Sequence, residues 1–191
     1  KTVHDLDNVS HVHIIEYEGD CKELLFEITP GMSVKPEKVP IKAVQINSEG
    51  RILKSLLFTP DEERRIKILS SAPLKYLYEP SPAFQKSGGF HSIATHYDLY
   101  KLHPNTHLYT SEKLVKDFPG RIFKITGITQ ANSKRLKTIL PDMRASLSVR
   151  NFPMAAKDLA NKLKIKDGGE ITLFACTSFE DQKIIIKCEK T

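Results

Sequence analysis

The 191-residue chain lacks any apolar run approaching the roughly 18 residues that a membrane span needs; its longest, KIIIK near the end, is strand-sized. A signal-peptide pattern is also missing. The chain opens KTVHDLDN, polar and without a starting Met, which predicts a piece of a longer protein. Cysteine is scarce: Cys21, Cys176 and Cys188 are scattered and odd in number. That argues against a secreted disulfide framework and predicts a reducing, cytoplasmic setting.

Catalytic signatures are absent as well. A P-loop needs glycines before its Lys-Ser, but in LYEPSPAFQKSGGF the order is Lys86-Ser87-Gly88-Gly89, after a helix cap at Ser81-Pro82. These glycines are read as joining helices and letting another element approach closely. Neither a G-x-G-x-x-G fingerprint nor a G-x-S-x-G elbow occurs. His103 and His107 have finger-like spacing, yet no Cys pair precedes them. His11 and His13 share one strand face and read as a half-exposed polar face rather than metal ligands. Cys176, in an apolar strand, reads as an inert thiol. No catalytic, cofactor-binding or metal-binding residue is assigned.

Charge is what the chain has, and it is uneven. Residues 1–70 carry ten Lys/Arg against twelve Asp/Glu, a net of −2, whereas 71–191 carry nineteen against eleven, a net of +8. Within 121–166, eleven basic residues (Arg121, Lys124, Lys134, Arg135, Lys137, Arg144, Arg150, Lys157, Lys162, Lys164, Lys166) face only Asp142 and Asp158. Such asymmetry favours a polyanionic partner over a merely solvated surface.

The pattern predicts a mixed α/β (α+β) fold. VSHVHIIEYEGDCKELLFEI reads as two strands about Glu18-Gly19-Asp20, and IKAVQIN and RILKSLLF as a second hairpin about Ser48-Glu49-Gly50. Thr59, Pro60 and Glu62 announce a helix start, with Ile66 and Leu69 as its apolar pair and Pro73 as its stop. LKYLYE is a strand; Ser81-Pro82 caps a helical series running to about Tyr100. THLYTS and RIFKITGIT are strands, SKRLKTILP a basic helix, and ASLSVRNF a strand with Leu147 and Val149 on one face. PMAAKDLANKLKI is an amphipathic helix with Met154, Ala155, Leu159 and Leu163 on its stripe. EITLFACTS and QKIIIKCE close the chain as a hairpin. A single boundary is placed near Ser70–Pro73.

Several stretches in this order, YLYEPSPAFQKSGGF, YKLHPNTHLYTS, DFPGRIFKI, LSVRNFP and KLKIKDGGEITLFACT, resemble the THUMP-like domain at the C-terminus of a family of bacterial class I S-adenosylmethionine-dependent methyltransferases. HVHIIEYEGDCKELLFEI resembles the last strand hairpin of that family's Rossmann-like catalytic domain. The resemblance implies residues 1–72 as the C-terminal part of a methyltransferase domain and 73–191 as a small THUMP-like α/β domain. It implies an upstream methyltransferase core in cis that holds S-adenosylmethionine, with no cofactor and no methylation in this chain. It also implies RNA as the partner, with no membrane involved. The matching positions are Glu79, Pro80, Lys86, Gly89, Phe90, His103 to His107, Pro119 to Arg121, Arg150, Asn151, Asp167 and Gly168. For phosphate contact the candidates are Lys86, Arg121, Lys124, Lys134, Arg135, Lys137, Arg144 and Arg150, since arginine forks and lysine charges are what a backbone-tracking surface needs. Tyr97, Tyr109, Phe123 and Phe152 could stack bases, but core packing is the better reading of each. In the alternative reading the chain is an interaction domain that completes the methyltransferase fold, or a dimer, without touching nucleic acid.

Overall fold

A computed structural model describes residues 5–67 and 69–191. It is a mixed α/β structure with two mixed sheets and short helices, divided into two compact units. The first consists of residues 5–67 together with Pro80–Asp98, and the second of Leu69–Glu79 and Leu99–Thr191. A single cut at 72/73 therefore does not describe the packing: residues 80–98 return to the first unit. The reason is a carboxylate, described below.

In the first unit β1 (Val9–Tyr17) and β2 (Asp20–Ile28) form the expected hairpin. Its loop residues, Glu18 (φ 51°) and Gly19 (φ 76°), are both left-handed, which matches a two-residue turn to the strand twist. The second hairpin pairs β3 (Ile41–Ile46) with β4 (Ile52–Phe58), and β3 runs parallel to β1, giving the order β2-β1-β3-β4. Val9, Val12 and Val39 are packed by Leu6, Phe26, Val34 and Ile41.

Helix α1 (Pro60–Arg65) has the capping box read from Thr59 and Glu62. It stops at Arg65, well before Pro73, and Ile66 is already extended. Beyond it the backbone takes other partners: Lys101 N–H donates to the Leu69 carbonyl and Ser71 N–H to that of Lys101. The helical series after Ser81 is two helices, α2 (Pro82–Lys86) and α3 (Phe90–His96), followed by a strand the pattern did not announce, β6 (Tyr100–His103). Ser81 does not cap α2. Its hydroxyl donates to the buried Glu16 of β1, whose carboxylate also accepts from Ala83 N–H at 3.0 Å and from Gln45 Nε2 at 2.9 Å. Glu16 thus caps α2 from another element and holds residues 80–98 in the first unit. Glu63 of α1 does the same for α3, accepting from His91 N–H at 2.6 Å and Ser92 N–H at 2.8 Å.

The glycine pair joins these two helices. Gly88 turns the chain at φ 79°, and Gly89 lies under Phe58, where a Cβ would stand 2.5 Å from ring carbon Cε1. Phe58 is buried and has little room to yield. We expect Gly89→Ala to cost about 1–3 kcal/mol of unfolding free energy, as overpacking does. Adding Phe58→Leu should recover part of that loss in a denaturation double-mutant cycle, and additive effects would refute the close approach.

The second unit is a seven-stranded sheet ordered β6-β7-β5-β8-β11-β10-β9. Its remaining strands are β5 (Tyr76–Pro80, whose last residue falls in the first unit), β7 (Thr106–Ser111), β8 (Gly120–Gln130), β9 (Ser146–Arg150), β10 (Thr172–Thr177) and β11 (Lys183–Lys190). β10 runs antiparallel to β11 and parallel to β9. Alternation splits β10 between two cores. Phe174 and Cys176 pack with Leu77, Leu102, Leu108 and Phe123, while Leu173 and Ala175 pack against the helices α4 (Ser133–Ile139) and α5 (Ala156–Leu163). The helices contribute Leu136, Leu159 and Leu163 to that layer.

Candidate nucleic-acid interface

Burying Leu136 on α4 and Leu159 and Leu163 on α5 turns the basic residues of both helices outward. Asn132 caps α4 by accepting from Lys134 N–H at 2.9 Å and Arg135 N–H at 3.2 Å. Ser133 Oγ donates to the Leu163 carbonyl at 3.1 Å, tying the start of α4 to the end of α5. That bond joins the residue before Lys134 and Arg135 to the one between Lys162 and Lys164. Lys164 ends α5 in the left-handed conformation (φ 60°). Past it, Lys166 N–H donates to the Met143 carbonyl at 2.8 Å and Ala145 N–H to the Lys166 carbonyl at 3.0 Å, which makes Arg144 and Lys166 neighbours. These six side chains are exposed, and among the described residues none has a carboxylate ion-pair partner. Arg135 donates to Gln130 at 2.7 Å, and Arg144 Nε reaches only the Asp167 carbonyl, at 3.5 Å. Lys137 is exposed on the same helix.

The other candidates are placed differently. Arg121 and Arg150 both turn their forks onto Glu79, whose side chain is 3% exposed. Arg121 gives Nε and Nη2 to Oε2, the Nε bond at 2.7 Å, and Arg150 gives Nη2 to Oε1 at 2.6 Å. Their exposures, 55% and 34%, leave each only partly open to solvent. Lys124 is exposed on β8 opposite Glu189, and Lys86 is exposed at the end of α2 in the first unit. The six-membered band therefore keeps Lys134, Arg135 and Arg144 and adds Lys162, Lys164 and Lys166. Their count within a basic segment was visible in sequence, but the Ser133–Leu163 tie that gathers them was not.

The histidines singled out in the sequence are engaged by polar neighbours. His103 Nδ1 accepts from Asn105 N–H at 3.1 Å, so its Nε2–H faces Asp181 at 3.0 Å. Asn151 Nδ2 donates to Thr106 Oγ1 at 3.2 Å, and Thr106 Oγ1 donates to the Thr177 carbonyl at 2.7 Å. Together they fasten the β6–β7 hairpin to β9 and β10. His11 and His13 share a face with Glu27, 3.5 and 3.6 Å away. No group of three or more His, Cys, Asp or Glu side chains that could hold a metal occurs among the described residues. Tyr97, Tyr109 and Phe123 are buried, and Phe152 packs against the helical layer. Burial pushes the Cys176 thiol up to about 12 and raises that of Cys188 further, which keeps both protonated and unreactive. In the Lys86–Phe90 stretch the space beside the Gly89 Cα is taken by the Phe58 ring. No helix among the described residues is long and apolar enough to cross a membrane.

A mixed α/β chain whose second unit presents a cationic helical layer is the class these observations define. Comparison with known proteins narrows it. Residues 120–190 match the THUMP domain-like family and residues 76–119 a ferredoxin-like domain, so the THUMP-like match begins at β8 rather than at residue 73. A crystal structure of a candidate methyltransferase from Porphyromonas gingivalis W83 is 37% identical with a TM-score of 0.88, over 98% of this chain and 47% of that one. This chain thus spans about half the length of that relative. No curated protein matches.

Proposed function

We propose that the second unit is an RNA-binding module that serves a methyltransferase of which this chain supplies one part. The catalytic core and its S-adenosylmethionine lie in this reading outside the 191 residues, in a reducing compartment, and residues 1–72 belong to the end of the catalytic domain. The observation that carries the RNA reading is the band of six unpaired cations, Lys134, Arg135, Arg144, Lys162, Lys164 and Lys166, within the THUMP domain-like segment. The methyltransferase reading is supported by likeness to the P. gingivalis protein. What the chain's own residues do is bind and orient: a row of fixed positive charges on short, capped helices can follow a phosphate backbone, and buried aromatics leave recognition to charge and shape.

Binding of this chain to a folded RNA hairpin, followed by fluorescence anisotropy, tests the proposal. With about six phosphates neutralised, affinity should fall roughly 10³-fold between about 50 and 200 mM salt. Absence of binding at low salt, or affinity indifferent to salt, would reject it.

A further inference from the structure

We infer that the cavity between α5 and β9 receives one unpaired guanine of the RNA whose phosphates follow the cationic band. The inference rests on the RNA-binding reading and deepens it from charge to a base. The cavity holds about 400 Å³, within the roughly 300–1,000 Å³ typical of small-molecule sites. Ala145, Leu147, Ala160 and Ile165 supply apolar walls, and Lys157, Asn161 and Asp167 supply polar groups. All belong to the second unit, inside the THUMP domain-like segment.

The three polar side chains are exposed, and no hydrogen bond or ion pair engages any of them among the described residues. Each is free to meet a ligand. The cavity also adjoins the band. Arg144 precedes Ala145, Lys166 stands between Ile165 and Asp167, and Lys164 follows Asn161 by about one helical turn. A nucleotide whose phosphate meets these cations has its base within reach of the opening.

Asp167 selects the occupant. A carboxylate among phosphate-binding cations works against phosphate, so its part in an RNA site is to accept N–H donors. Guanine offers two neighbouring ones on its Watson–Crick edge, N1–H and N2–H, which one carboxylate takes as a pair. Its O6 then accepts from the Asn161 amide or the Lys157 ammonium. Adenine and cytosine place a ring-nitrogen acceptor beside a single amino group, and uracil flanks one N–H with two carbonyls. Each of these sets an acceptor against Asp167. Bases splayed from a single-stranded loop are read on this edge. Tyr109 and Phe123 are buried, so apolar side chains rather than an aromatic ring cover the face of the base here.

Anisotropy titrations of this chain test the inference, using hairpins that differ only at one loop guanine, replaced by adenine, cytosine, uracil or inosine. The guanine hairpin should bind at least about tenfold more tightly than the adenine, cytosine and uracil ones. Inosine, which lacks the N2 amino group, should fall in between. Asp167→Asn should abolish the preference, the guanine hairpin losing affinity relative to the others. Simple removal of a negative charge beside the band would instead strengthen every hairpin alike. Ala160→Leu, which fills the cavity, should also abolish the preference and leave the salt dependence unchanged, with circular dichroism confirming that both variants fold. Equal affinity for all the hairpins would overturn the inference and leave the RNA reading standing. So would an Asp167→Asn chain that binds every hairpin more tightly with the preference intact. Failure to bind any hairpin rejects both readings. Guanosine monophosphate binding alone as tightly as the guanine hairpin would make the occupant a free nucleotide and overturn its assignment to RNA.

Discussion

Replacing Arg121 and Arg150 together by methionine is expected to destabilise the second unit by about 3–5 kcal/mol, because it leaves a buried carboxylate without a partner. Glu79 has almost no contact with solvent, and each of its oxygens is taken by one arginine fork. Single replacements should cost much less, about 1 kcal/mol each. The remaining arginine still neutralises the charge, and the half-exposed head of Arg121 is already screened by water. Adding Glu79→Met to the double variant should restore most of the loss, since an apolar trio needs no neutralisation. The bond from Arg150 does more than pair charge. β9 is the last strand of the sheet and β5 the third, so it reaches across from the edge, as the Asn151–Thr106 bond does. Urea denaturation followed by circular dichroism, with exchange of β8 and β9 amides, measures the effect. Additive and small losses would mean that water solvates Glu79 after all. The expectation also separates stability from binding: Arg121→Lys should leave RNA affinity unchanged, as a residue engaged with Glu79 offers little to a phosphate.

Local signals were legible in the sequence, and partnerships between distant residues were not. The Thr59–Glu62 capping box, the Glu18-Gly19 turn, the basic helix α4 and the Leu159–Leu163 pair of α5 depend on neighbours within a few residues and stand where the pattern put them, whereas Met154 and Ala155 of the expected stripe precede α5. Ser81 illustrates the limit. Its identity and the following proline signal a cap, but the structural cap is Glu16, 65 residues earlier, and the serine hydroxyl is spent on that carboxylate. Past the expected helix, Leu69 and Ser71 find backbone partners at Lys101, and β6, which the pattern did not announce, is a strand through its pairing with β7. Among the candidate phosphate ligands, Arg121 and Arg150 were indistinguishable from Arg135 by charge and segment. What divides them is Glu79, 42 and 71 residues away. Gly89 was read correctly as a place of close approach, but that Phe58 is the approaching group follows only from the fold.

Reversing Arg135, Lys164 and Lys166 together to glutamate should lower affinity for a folded RNA hairpin by at least about 100-fold near 100 mM salt, and flatten the salt dependence by roughly three units of log–log slope. The three come from α4, the end of α5 and the strand-like turn beyond it, so they sample the whole band. None makes an ion pair that the substitution would break, and all are exposed, so circular dichroism and the melting temperature should stay near those of the parent chain. Lys190→Glu, also exposed but at the end of β11, provides a comparison for net charge alone. It changes the overall charge by the same amount per site, and at moderate salt a charge beyond a Debye length of about 10 Å is largely screened. A loss per substitution as large at Lys190 as within the band would show that RNA senses total charge rather than this surface. A triple variant that binds RNA as the parent does would remove the helical layer from the interface altogether. The methyltransferase reading would survive that result, because it leans on the P. gingivalis relative rather than on the cations.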